Sequence, residues 1–219
     1  MGFIGTWWNV LRHPSATMAE EKKNSSYGKA ILHLVLPLAI IFALVAVVGF
    51  TVFAMLKPLL GQYGAMLGPM FGAAGLAILV VIFIAVAIIL IITSFLSNVL
   101  YLAAAKVFGG TGEYKTQFYL LSLATAASFV GFIMLMVVAV LFMLVSPMLM
   151  LLWVLLFIAF GLYTIYLDLV ALREAHAVST AKALGIFIIA SIAAWIISFM
   201  LNFSALTGGF LPKTPPVSP

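Results

Sequence analysis

Five long apolar stretches make up most of this chain, and they leave it few ways to fold. They run from about residue 31 to 56, 75 to 108, 117 to 145, 148 to 172 and 179 to 206. About 20 helical residues cross the hydrocarbon core of a bilayer, so each stretch is long enough to span it. With 66% hydrophobic and 7% charged residues, the chain has too few polar side chains to cover a water-soluble globule. The sequence therefore predicts an all-α, polytopic membrane helix bundle with five transmembrane helices.

The positive charges predict how the bundle is oriented. Eight of the ten Lys and Arg residues fall on one side of a five-span arrangement. They are Arg12, Lys22, Lys23, Lys29, Lys106, Lys115, Arg173 and Lys182. Only Lys57 and Lys213 fall on the other side. The positive-inside rule then predicts a cytoplasmic N-terminus and a C-terminus outside.

The chain divides into a cytoplasmic N-terminal segment (1–30), a membrane domain (31–206) and a disordered Pro-rich tail (207–219). A helix over the first residues gathers its aromatic side chains on one face, which predicts a short interfacial amphipathic helix anchored by Trp7 and Trp8. The polar residues 18–29 that follow are expected to form a solvated linker.

Charged side chains are concentrated in the two loops on the N-terminal side and at the helix ends beside them, which predicts a cytoplasmic charge cluster that could bind a partner. Its members are Lys106, Glu113, Lys115, Asp168, Arg173, Glu174 and Lys182.

Asp168 lies about one turn inside the predicted end of the fourth span, where it needs a partner. Lys106 or Lys182 is the expected base, and a helix-end ion pair is favoured over a proton-relay or cation site. We interpret His176 as an ordinary loop histidine.

The second span has polar residues near one side, at Ser97, Asn98 and Tyr101. Such groups usually form hydrogen bonds to another helix or to their own backbone, and the alternative is a polar intramembrane solute site.

Several function classes are disfavoured. The chain has no cysteine and no HExxH, GxSxG or comparable catalytic pattern, so we predict no enzyme activity, no cofactor and no metal. A net charge of +5 without a clustered basic face does not indicate nucleic-acid binding. The lipid bilayer is the expected partner.

The order of certain motifs resembles the Yip1 domain family of five-span membrane proteins, over about residues 5 to 206. The motifs are WWNVLRHPS from Trp7, a first span entered through Pro37, GGTGEYKT at 109–116, and LDLVALREAHAVSTAKAL from Leu167. The resemblance implies membrane trafficking between endoplasmic reticulum and Golgi in eukaryotic members, with binding of Rab-type GTPases, mutual association and effects on curvature.

The short N-terminal segment differs from the long cytosolic region of the eukaryotic members, which weighs against a small GTPase as partner. The chain looks more like the compact bacterial and archaeal members, for which the plasma membrane of a prokaryote is the implied location; endoplasmic reticulum or Golgi would apply in a eukaryote. We expect a non-enzymatic membrane scaffold or adaptor that associates with itself or with other membrane proteins. The alternative is a small transporter or channel component that uses Asp168, Ser97, Asn98 and Tyr101.

Overall fold

The structure is a computed structural model that describes residues 2–146 and 148–208; residues 73 and 201–208 are described by their backbone alone. Eight α-helices and two short 3₁₀ turns make up the described part of the chain, and it contains no strand. The helices are α1 (Phe3–Arg12), α2 (Pro14–Glu21), α3 (Tyr27–Leu56), α4 (Gln62–Leu67), α5 (Ala73–Val107), α6 (Tyr114–Val145), α7 (Leu149–His176) and α8 (Thr180–Gly208).

Five of these helices, α3, α5, α6, α7 and α8, are long and apolar enough to cross a membrane, which confirms the predicted all-α, five-span architecture. Three of them extend beyond the predicted spans at the end where the basic residues lie. α3 begins at Tyr27, α6 at Tyr114, and α7 continues to His176. The predicted tail lies outside the described residues from residue 209 onward.

Local chemistry explains where these helices begin and end. Ser26 caps α3 by accepting a hydrogen bond from the Lys29 amide at 3.2 Å. α5 ends before Gly109, whose φ of +79° is a conformation that glycine adopts without strain. At the end of α7, Ala177 is left-handed, so that the amides of Ala177 and Val178 both return to the Arg173 carbonyl.

The five long helices form a closed ring in which α3 contacts α5, α5 contacts α8, α8 contacts α7, α7 contacts α6 and α6 contacts α3. α6 is the most buried helix, because it also packs against α5 and α1. Its first half holds a nearly continuous buried segment, Thr116 to Ala124.

Most of the buried side chains lie at one end of the bundle, which carries α1, α2, the α5–α6 loop and the α7–α8 loop. We call it the basic end, because the eight Lys and Arg residues grouped by the sequence lie in the segments that form it. The halves of the long helices that lie away from the basic end instead expose large apolar side chains, as expected where lipid is the solvent. The tertiary packing within the chain is thus concentrated at the basic end.

Candidate functional site

The N-terminal arm, α1 and α2, packs against the basic end of the bundle. Trp7 is fully buried and its indole Nε1 donates a hydrogen bond to Nδ1 of His33 at 2.7 Å. Because an indole N–H only donates, this bond requires an unprotonated Nδ1 on His33. Phe3 lies edge-on to the same imidazole, with ring centroids 5.2 Å apart. The N-terminal arm is therefore bound to His33, near the start of α3.

Polar contacts extend this attachment along the arm. The Tyr163 hydroxyl donates to the Leu11 carbonyl at 2.5 Å, and the Tyr119 hydroxyl donates to Glu21 at 2.6 Å. In these two bonds, tyrosines of α7 and α6 hold the ends of α1 and α2. The arm is thus fixed to helices that are far from it in sequence.

These contacts correct the predicted role of the N-terminal segment. Trp7 is a core residue and not a lipid anchor, whereas Trp8 is 41% exposed and remains available to the interface. The expected solvated linker also begins later, since α2 runs to Glu21 and Met18 is fully buried. The helical period places both tryptophans on one broad face, but it could not show that docking of the arm buries Trp7 beside His33 of α3.

The predicted charge cluster is divided by the fold. Arg173 and Glu174 form an ion pair at 2.7 Å, the only ion pair in residues 2–146 and 148–200. Arg173 also donates to the Ser15 hydroxyl at 2.9 Å, and Lys22 donates to the Glu174 carbonyl at 2.6 Å. This pair therefore fastens the N-terminal arm to α7.

The other loop charges are directed elsewhere. Lys106 donates to the Gly110 and Gly112 carbonyls of its own loop at 3.3 and 3.2 Å. Glu113 and Lys182 are exposed, and Lys115 is half-buried. The expected ion pair of Asp168 with Lys106 or Lys182 does not form, because α7 continues to His176 and places Asp168 about two turns inside it rather than one.

A buried network of hydrogen bonds joins the α5–α6 loop to the end of α7. The Thr111 amide donates to the His176 carbonyl at 3.3 Å, and His176 Nε2 lies 2.7 Å from Gln117 Oε1. A carboxamide oxygen only accepts, so His176 donates through Nε2. Gln117 in turn donates to the backbone and side-chain oxygens of Asn98 at 2.7 and 3.0 Å.

His176 is therefore no loop histidine, since it is the last residue of α7 and 1% exposed. Sequence reasoning also missed Gln117 and His33. The available signal was the presence of uncharged polar side chains in apolar spans, where such groups rarely lie without a partner.

Deeper in the bundle, a polar cavity of about 220 Å³ opens between α3, α5, α6 and α7. It brings Asp168 together with the three polar residues of the second span, Ser97, Asn98 and Tyr101. The remaining lining residues are Leu34, Thr93, Ser94, Leu121, Ser122 and Thr125. Residues from three separate helices thus surround the carboxylate.

Two groups in this cavity stand out, because one is a deeply buried hydroxyl without a hydrogen bond and the other is an acid without an ion pair. The Ser122 side chain is 2% exposed and its hydroxyl makes no hydrogen bond, and Asp168 has neither a hydrogen bond nor an ion pair within the described part of the chain. By contrast, Asn98 donates to the Ser94 carbonyl at 2.8 Å. An acidic oxygen and a hydroxyl are therefore left without a partner.

The described residues contain no group of three or more His, Cys, Asp or Glu side chains that could hold a metal ion.

The sequence was compared with protein families, curated proteins and solved structures. The model of the family described as the Yip1 domain matches residues 8–202, which is most of the chain. No curated protein and no solved structure matches this chain.

Proposed function

The chain belongs to the Yip1 domain family, and from this membership and the packing of the basic end we propose that it is a non-enzymatic membrane scaffold or adaptor. The observation that carries the proposal is the N-terminal arm, which lies on the ends of α6 and α7 and joins them into one surface. A surface that is already ordered loses less conformational entropy when a partner binds.

The charges left on this surface indicate the kind of partner. Arg173, Glu174 and Lys22 are engaged within the protein, as described above. The exposed charges are predominantly basic: Arg12, Glu20, Lys23, Lys29, Lys106, Glu113 and Lys182. A basic surface attracts and orients an acidic one, so the proposed partner is another membrane protein with an acidic segment.

The proposed location is the plasma membrane of a prokaryote, as in the compact members that the chain resembles. The basic end would then face the cytoplasm according to the positive-inside rule.

Charge reversal at the basic end tests this function. We expect Lys23→Glu combined with Lys182→Glu to reduce recovery of cross-linked partners from native membranes about tenfold, because both side chains are exposed and the reversed charges repel an acidic partner. Lys57→Glu, an exposed residue outside the segments of the basic end, is the matched control and should leave recovery unchanged.

Both variants should elute as folded protein in detergent. Equal recovery of the same partners with wild type, the double variant and the control would contradict the proposal.

A second candidate function is that of a small transporter or channel component, favoured by the polar cavity at Asp168, Ser97, Asn98 and Tyr101. In proteoliposomes, Asp168→Asn should then change proton or alkali-ion flux by about tenfold or more, because the only carboxylate of the cavity is lost. Flux equal to that of wild type, or no flux above empty liposomes for either protein, would exclude transport through this cavity.

A further inference from the structure

We propose that the polar cavity between α3, α5, α6 and α7 is a binding site for a monovalent inorganic cation, held by Asp168 and by hydroxyl oxygens that include that of Ser122. The inference goes beyond both candidate functions, because a bound ion can stabilise the bundle whether or not it is transported.

The depth of the cavity is the first argument. Asp168 and Ser122 each lie eight residues from the ends of their helices at the basic end, about 12 Å along the axis. At this depth an ionised carboxylate without a partner is costly, and so is a buried hydroxyl without one. A cation bound in the cavity would give both groups a partner.

Three of the other polar side chains of the cavity already have hydrogen-bond partners. Thr93 and Thr125 donate to carbonyls of their own helices at 2.8 and 2.9 Å. The amide of Asn98 donates to Ser94 and its oxygen accepts from Gln117. No basic side chain lines the cavity. The neutralising charge must therefore come from a proton on the carboxylate or from a bound cation, and measured cation binding distinguishes the two.

The donor set indicates the class of that ligand. Apart from the Asn98 amide nitrogen, which is already engaged, every polar side-chain atom at the cavity is an oxygen, and oxygen donors select hard cations. One carboxylate balances a single positive charge, whereas a Ca²⁺ site usually has several acidic ligands. A monovalent alkali cation fits both conditions.

The volume agrees with this choice. A water molecule occupies about 30 Å³ in the liquid, so a cavity of about 220 Å³ accommodates an ion that keeps several waters. The lining hydroxyls, such as those of Ser97 and Ser122, can then bind the ion directly or through water.

Binding can be measured on the full-length protein in nanodiscs with radioactive sodium and rubidium, beside thermal unfolding in NaCl, KCl or N-methyl-D-glucamine chloride at equal ionic strength. We expect saturable binding of sodium or rubidium by wild type, and greater thermal stability with that small cation than with the bulky one. Asp168→Asn should abolish both effects. Ser122→Ala should weaken binding about tenfold, the equivalent of one lost hydrogen bond.

Glu113→Gln is the matched control, because it removes one exposed carboxylate outside the cavity and should leave binding unchanged. With the bulky cation, Asp168→Asn should be at least as stable as wild type, since it removes an uncompensated charge.

The proposal is overturned if wild type responds equally to small and bulky cations, or if Asp168→Asn binds as tightly as wild type. Should Asp168→Asn fail to fold, Ser122→Ala and Ser97→Ala decide the question, and unchanged affinity in both would refute the site. Loss of partner recovery in the scaffold experiment would not affect any of these readouts.

Discussion

Replacing Trp7 with alanine is expected to release the N-terminal arm from the bundle. Trp7 is fully buried against His33, Phe3 and the start of α6, and its indole N–H bonds to His33. Truncation removes a large packed side chain and leaves the His33 nitrogen without a donor, at a cost of about 3 to 5 kcal/mol. That cost shifts the docking equilibrium by two or more orders of magnitude.

Hydrogen exchange and limited proteolysis in nanodiscs would measure this release at residues 3–21. In the variant, the amides of α1 and α2 should exchange much faster, while those of α6 and α7 stay protected, because undocking is local. Trp8→Ala is the matched control, since the adjacent side chain is 41% exposed and its loss should change little. Equal exchange in the two variants, or protection of the arm in Trp7→Ala, would contradict the buried position of Trp7.

Substituting Gly112 with alanine is expected to destabilise the junction of the two loops at the basic end. A Cβ on Gly112 would overlap the Ala175 carbonyl oxygen and approach Nδ1 of His176 at 2.8 Å. The obstacle is backbone, which cannot rotate away like a side chain, so the α5–α6 loop must separate from the end of α7. This separation would also break the bond from the Thr111 amide to the His176 carbonyl.

We expect a loss of about 3 kcal/mol, or a melting temperature lower by about 6 to 12 °C in a detergent or nanodisc unfolding assay. Gly49→Ala is a suitable control, because a Cβ there has nothing within 4 Å and alanine is the better helix former. A Gly112→Ala protein as stable as wild type would show that this loop does not rest on α7 as described.

Part of the candidate site can be predicted from the sequence. Ser97, Asn98 and Tyr101 were grouped by their helical spacing, and the structure places them with Asp168 in one cavity. Ser122 could not be assigned to it from the sequence, since its position depends on the rotation of α6 relative to α5. The partner of Asp168 was mispredicted for a related reason. The sequence predicts that the fourth span ends at residue 172, one turn before the end of α7, and that turn decides whether a lysine can reach the carboxylate.

The sequence alone determined that the chain forms five helices long and apolar enough to cross a bilayer, because the apolar stretches exceed the bilayer thickness and lipid permits few other structures. It also grouped the basic residues into segments that the fold brings to one end. Only the tertiary structure decided that Trp7 binds His33, that Arg173 serves the N-terminal arm, and that Asp168 and Ser122 share a cavity without a protein partner. In lipid, hydrophobicity does not distinguish the inner face of a helix from its outer face, so these contacts depend on packing and hydrogen bonds between residues distant in the chain.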